Sequence, residues 1–248
     1  SDLTSLEPGA RALVVANKAA FESRYGTGLL IAGEWESGDR LSNGGERVKL
    51  SYGAGIPIRD FEYLDQSPWP SSPDGDGPAL TLINPRSNPD HQNPANWRPS
   101  IASGGSPGGE DATTFASWAA GLGLSIDSPA TDDDGDTLGI FREYAQGGSP
   151  SAALPGEGLF DIKLENLVID KVAVPHLIVK AARNLAADDV AFRIERNADS
   201  LSGVWEDVTA EFVWHSETQT ANGQSVVRYR SPLLVEPNQY WRIRFFLR

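Results

Sequence analysis

The spacing of apolar positions changes twice along the chain. Over the first hundred residues the apolar side chains come in short runs or alternations. Arg11–Ala16 (RALVVA) is a brief apolar run of the kind a buried strand carries. Asn17 then stands where a helix cap belongs, ahead of KAAFESRY, and Gly26 supplies a left-handed stop. Glu46–Ser51 alternates, with Val48 and Leu50 on one face. Ile58–Leu64 alternates slightly out of phase through Ile58, Phe61 and Tyr63, and Leu80–Ile83 forms one more strand after the turn PDGDG. Short strands punctuated by Gly, Pro, Asn and Asp predict a sandwich or barrel.

Residues 100–111 (SIASGGSPGGED) read as a Gly/Ser-rich linker. The period then becomes helical: Phe115, Trp118, Ala119 and Leu122 share one helix face. Phe141, Tyr144 and Ala145 share another, stopped by Gly147-Gly148. From about Phe160 the strand pattern returns in DIKLENLVID, VAVPHLIVKA, VAFRIERN, VTAEFVWHS, QSVVRYR and YWRIRFFLR. In the last of these, Trp241, Ile243, Phe245 and Leu247 oppose Arg242, Arg244 and Arg248. Such a series predicts an antiparallel sandwich. The expected organisation is therefore mainly β. A β-sandwich region over 1–100 is followed by a linker and helical unit over 101–150, and by a second sandwich over 151–248.

Between the two helical faces lies TDDDGDTLGIFRE (131–143). A calcium loop of the EF-hand type, about 12 residues long, takes side-chain oxygens from its first, third and fifth positions. It adds a backbone carbonyl from the seventh and a bidentate acid from the twelfth. With Asp132 first, Asp134, Asp136, Leu138 and Glu143 fall on those positions. Without a cation these acids and Asp133 repel one another, with Arg142 nearby to offset them. The departure is the sixth position, where the sharp turn calls for Gly and the chain has Thr137. Hard oxygen donors favour Ca²⁺ over Mg²⁺, which demands tight octahedral geometry. The alternative is a solvated acidic loop.

Other motifs carry less. Asp74 and Asp76 in PDGDG read as turn residues. Gly104–Gly108 (GGSPG) matches the nucleophile-elbow pattern formally, but Pro107 removes an N–H that an oxyanion hole needs. His91, His176 and His215 are far apart, and no phosphate-cradling or dinucleotide fingerprint is present. Catalysis finds no support in these patterns. Among the seven tryptophans, Trp35, Trp69 and Trp97 lie in turn-rich stretches where exposure would suit stacking on sugar rings. A carbohydrate-binding appendage of a secreted hydrolase is accordingly the alternative function.

Composition narrows the partners. The 248 residues carry a net charge of −13, which disfavours nucleic acid and anionic membrane. Cysteine is absent, excluding disulfides and thiolate metal sites, so a bound metal is an available staple. No apolar stretch reaches the length of a membrane span. Methionine is absent even at position 1, so the chain is expected to be a fragment of a longer polypeptide.

Residues 33–85 resemble the later part of a bacterial lamin-tail domain in the LSNGGERVKL block (41–50), the Tyr63 strand, the WP at 69–70 and the DG-then-strand ending. LEPGARALVVANKAAFESRYG (6–26) fits the same family. The resemblance implies an immunoglobulin-like β-sandwich serving as an extracellular accessory or adhesive module. The family's first strands are missing, so this region is expected to be completed by an upstream segment of the same protein or by another protein chain. FASWAAGLGL and DDDGDTLGIFREYAQGGSP, within 115–150, resemble a dockerin half or a thrombospondin type 3 loop, which implies calcium. FRIERNADSLSGVWEDVT (192–209) resembles the β-rich C-terminal domains of secreted bacterial proteins. The expectation is a non-catalytic, secreted or cell-surface module with no membrane insertion, in which Ca²⁺ fixes the helices and holds the two sandwiches in one orientation. The alternative function adds a glycan as partner.

Overall fold

Strands dominate the structure, a computed structural model of the chain that describes residues 3, 5–35, 41–152, 160–169, 171–198, 203–220, 223–232 and 239–248. Parts of three expectations fall outside these residues: the 36–40 segment of the lamin-tail resemblance, Asp170 at a strand end, and 199–202 of the C-terminal resemblance. The described residues form a mainly β protein with three short α-helices, and they divide into two compact units, Ser1–Asp111 and Ala112–Arg248.

In the first unit, β1 (Leu13–Val15) and β2 (Ile31–Glu34) pair in parallel across α1 (Lys18–Tyr25). The Asn17 side chain accepts from the Ala20 N–H at 2.8 Å, so the cap expected from sequence forms. The antiparallel hairpin β3 (Glu46–Tyr52) and β4 (Ile56–Tyr63) follows, then the antiparallel pair β5 (Pro78–Leu82) and β6 (Trp97–Ser103). Hydrogen bonding thus leaves three two-stranded sheets among the described residues of this unit. Phe61, Trp69, His91 and Trp97 pack ring against ring, with Phe61 and Trp97 stacked at 5.4 Å.

The structure differs from the linker reading of 100–111. Ser100 is buried within β6, and Asp111 closes the segment back on the strand. Asp111 Oδ2 accepts from Arg98 Nη1 at 2.7 Å and from the Ile101 N–H at 3.1 Å, while Oδ1 accepts from Ser106 Oγ at 2.9 Å. A buried guanidinium needs a partner in place, and the Gly/Ser run curls to supply it.

The second unit opens with α2 (Phe115–Gly121) and α3 (Ile140–Gln146). A four-stranded antiparallel sheet follows in the order β11 (Val213–Gln219), β12 (Gln224–Arg230), β8 (Val172–Asn184) and β7 (Phe160–Ile169). A three-stranded sheet runs β10 (Glu206–Asp207), β9 (Val190–Asn197) and β13 (Tyr240–Leu247). The two sheets share one core: Leu177 and Val179 of β8 meet Ile194 of β9, Val208 and Phe212, ringed by Phe160, Ile162, Tyr229, Trp241 and Ile243. The expected strand over 208–216 starts late, at Val213. Asp207 Oδ1 accepts from the Thr209 N–H at 3.0 Å and its hydroxyl at 2.7 Å, turning 209–211 into a 3₁₀ turn.

A second core joins the helices: Phe115, Ala119, Ile140, Tyr144 and Ala187, with Trp118, Leu124 and Phe141 around them. Leu122, expected on this face, is exposed. The helix ends at Gly121, so the helical spacing no longer applies to Leu122, and Leu124 packs there instead. Polar contacts pin the helices to the strands. Asp189 accepts from the Phe115 N–H at 2.8 Å and from Tyr144 OH at 2.5 Å. Asn184 donates to the Tyr144 carbonyl at 2.9 Å, and Gln224 donates to the carbonyls of Gln146 and Gly147 at 2.8 and 2.7 Å. These last two carbonyls are helix-end acceptors with no helical partner of their own.

Candidate metal centre

The acidic stretch folds as a closed loop between α2 and α3. Its ends are joined where the Ile140 N–H donates to the Thr131 carbonyl at 2.9 Å and the Phe141 N–H donates to the Pro129 carbonyl at 3.0 Å. Gly139 sits at the closure, where an added Cβ would lie 2.6 Å from the Ala130 Cα and 2.8 Å from the Pro129 carbonyl oxygen. No larger residue fits without parting the strands of the loop. Sequence spacing gave no sign of this, because the contact depends on where the loop's entrance lies.

Within the ring, backbone donors turn the carboxylates inward. Asp132 accepts from Gly135 at 2.8 Å, Asp136 at 3.2 Å and Thr137 at 2.8 Å. Asp134 accepts from the Asp136 N–H at 3.3 Å, and Asp136 accepts from the Leu138 N–H at 2.8 Å. As a result the carboxylates of Asp132, Asp134 and Asp136 each place a ligand atom within 4.8 Å of the other two. Leu138, the expected carbonyl donor, is buried through its side chain, and its N–H is committed to Asp136. Thr137 adopts φ 75°, the left-handed conformation that makes Gly the ordinary residue at this position. A β-branched residue there is strained by roughly 1–3 kcal/mol.

Glu143 lies outside that close group of three, on α3, and its side chain completes the electrostatic picture. It is only 1% exposed, and neither carboxylate oxygen has a hydrogen-bond partner. Asp134 Oδ2 is buried and unpartnered as well. Burial pushes the Glu143 carboxyl up to about 7, and the fields of Asp134, Asp136, Asp132 and Asp133 push it the same way. Arg142, expected to offset the acids, donates Nε to Gln146 Oε1 at 3.0 Å; desolvation lowers its pKa, against the attraction of Asp136. Buried carboxylate oxygens normally find donors. A hard cation satisfies such oxygens and cancels the repulsion at once, so the donor set fits a bound metal.

The remaining candidates lie elsewhere. Asp74 and Asp76 stay in their turn, with Asp74 donating its N–H to the Ser71 carbonyl at 3.0 Å. Ser106 of the GGSPG run is bonded to Asp111. His176 is buried with Nδ1 2.7 Å from the Ser231 carbonyl, and His91 Nδ1 contacts the Pro89 carbonyl at 2.9 Å. Of the tryptophans, Trp69 is buried, Trp118 packs on Tyr144, and Trp241 joins the sandwich core. Trp35 and Trp97 line one cavity in the first unit. No helix among the described residues is long and apolar enough to cross a membrane. Compared with known proteins, the chain matches no family, no curated protein and no solved structure.

Proposed function

We propose that this chain is a non-catalytic accessory or adhesive module of a larger exported protein, stiffened by one Ca²⁺ in the 132–143 loop. Asp132, Asp134, Asp136, the Leu138 carbonyl and Glu143 hold the ion, which supplies the positive charge the loop lacks. The observation that carries the reading is the buried, unpartnered Glu143 carboxylate beside three clustered aspartates. Glu143 stands on α3, and α3 is fastened to β8 and β12 through Asn184 and Gln224. Filling the loop therefore relieves a repulsion that works directly against the seating of α3. The core shared by the two C-terminal sheets supports an immunoglobulin-like sandwich for 151–248.

Extracellular calcium is plentiful enough for loops of weak affinity, which fits a secreted or cell-surface setting. Completion of the first unit by an upstream segment or another chain is supported by the β3–β4 hairpin, where Leu50, Tyr52, Ile56 and Ile58 are all exposed. Scanning calorimetry with calcium and with EDTA, read alongside amide exchange of α3, tests the reading. Calcium should raise the melting temperature and slow exchange across Ile140–Gln146. Unchanged melting and exchange would defeat it.

A further inference from the structure

One face of the four-stranded sheet is basic, in a chain whose net charge is −13. Side chains alternate across a strand, and Ile162, Leu177, Val179 and Tyr229 point into the core shared with the other sheet. Their strand neighbours take the opposite, outer face. Register sets these in two rows: Arg230, Ile178 and Lys163, then Arg228, Lys180 and Asp161. Glu165 lies on the same face, opposite His176. Lys163 Nζ reaches Asp161 Oδ2 at 3.1 Å and Glu165 Oε1 at 3.5 Å, and Arg228 pairs with Glu165 as well. Among the described residues, Lys180 and Arg230 make no ion pair with a carboxylate. Lys163, Lys180, Arg228 and Arg230 thus stand against Asp161 and Glu165 alone. His215, in the irregular stretch of β11, feels the imbalance: burial, and next the fields of Arg228 and Arg230, hold its imidazole below the ordinary range.

Arg228 and Lys180 lie directly opposite each other, a like-charge pairing that destabilises a sheet and that a bound anion would relieve. Neighbouring strands are about 4.8 Å apart and alternate residues along a strand about 7 Å, so the cations are spread over a face instead of converging on one point. Such a spread suits a polymer carrying anions at intervals. Duplex DNA, with one charge per about 1.7 Å, is denser than this array, and the chain's own negative charge opposes it. An acidic polysaccharide carries one carboxylate per sugar ring, and its hydroxyls can donate to acceptors set among the cations. We propose that this face binds an acidic polysaccharide of the polyuronate class, with Lys180 and Arg230 pairing with its carboxylates and Asp161 and Glu165 accepting from its hydroxyls.

Calorimetric titration of the intact chain with an oligogalacturonate tests this, in EDTA so that calcium neither cross-links the sugar nor enters the acidic loop. The same oligosaccharide with its carboxylates methyl-esterified is the neutral comparison. The acid form should bind saturably, at least about tenfold tighter than the ester, and more weakly as salt rises. Lys180→Gln and Arg230→Gln should each weaken it about threefold, and the two together about tenfold. Arg244→Gln, exposed on the three-stranded sheet, should leave it unchanged. The Gln variants remove charge from partly exposed side chains, and circular dichroism checks that each is folded. No binding of the acid form, equal binding of the ester, or unchanged affinity in the folded double variant would overturn the assignment. So would tighter binding of duplex DNA or of phosphatidylglycerol vesicles than of the oligogalacturonate.

Discussion

Replacing Glu143 by Gln isolates the charge that the acidic loop has to manage. A carboxyl held at about 7 in the folded chain, against an ordinary 4.5, disfavours the ionised folded state by about 3 kcal/mol. The sign follows from linkage: the folded form binds this proton more tightly than the unfolded form. In calcium-free protein the group's contribution therefore falls as pH rises from the ordinary carboxylate range through about 7, and it is lowest above that. Glu143→Gln removes the titration. Urea unfolding in EDTA should show wild type losing up to about 3 kcal/mol between about pH 5 and pH 8, relative to the variant. A buried amide without partners costs about 1–3 kcal/mol at either pH, so the diagnostic quantity is the difference between the two pH values. Added calcium should restore wild type at the higher pH and leave the variant nearly unmoved. Parallel pH profiles for the two proteins, or an equal calcium response, would refute the argument that Glu143 faces the acidic loop as a buried charge.

Other substitutions probe the loop and its supports. Thr137→Gly removes the left-handed strain at φ 75° and should stabilise the chain by about 1 kcal/mol and tighten calcium binding, as seen in melts and titrations. Gly139→Ala drives a methyl into the Ala130 and Pro129 backbone and should cost about 2 kcal/mol or more in urea unfolding. Asp111→Ala removes the carboxylate paired with the buried Arg98 guanidinium and should cost about 3–5 kcal/mol, read by the same method.

Local spacing made the cluster of aspartates legible. Asp132, Asp134 and Asp136 are brought together by a single turn, so their sequence offsets translate into positions, while Glu143, outside that close group, stands on the helix that follows and feels their field. The strand alternations translated equally well where one face is buried, as in Ile194 and Ile243. What composition could not convey depends on distant partners. The 100–111 run looks like linker until Asp111 is seen paired to Arg98. Asp189, Asn184 and Gln224 fasten the helices across sequence separations that no local pattern encodes. The helical spacing of Leu122 predicts the helix face, yet Gly121 and Gly123 flank it and the helix stops first.

Isothermal titration of the whole chain with Ca²⁺ near neutral pH, with Mg²⁺ as the comparison, bears most directly on the central claim. One site should fill with a dissociation constant on the order of 10⁻⁴–10⁻³ M, with Mg²⁺ binding more weakly. At about 10 mM calcium that affinity corresponds to roughly 1.5–3 kcal/mol of added stability. Absence of saturable heat up to tens of millimolar, or tighter binding of Mg²⁺ than of Ca²⁺, would contradict the account.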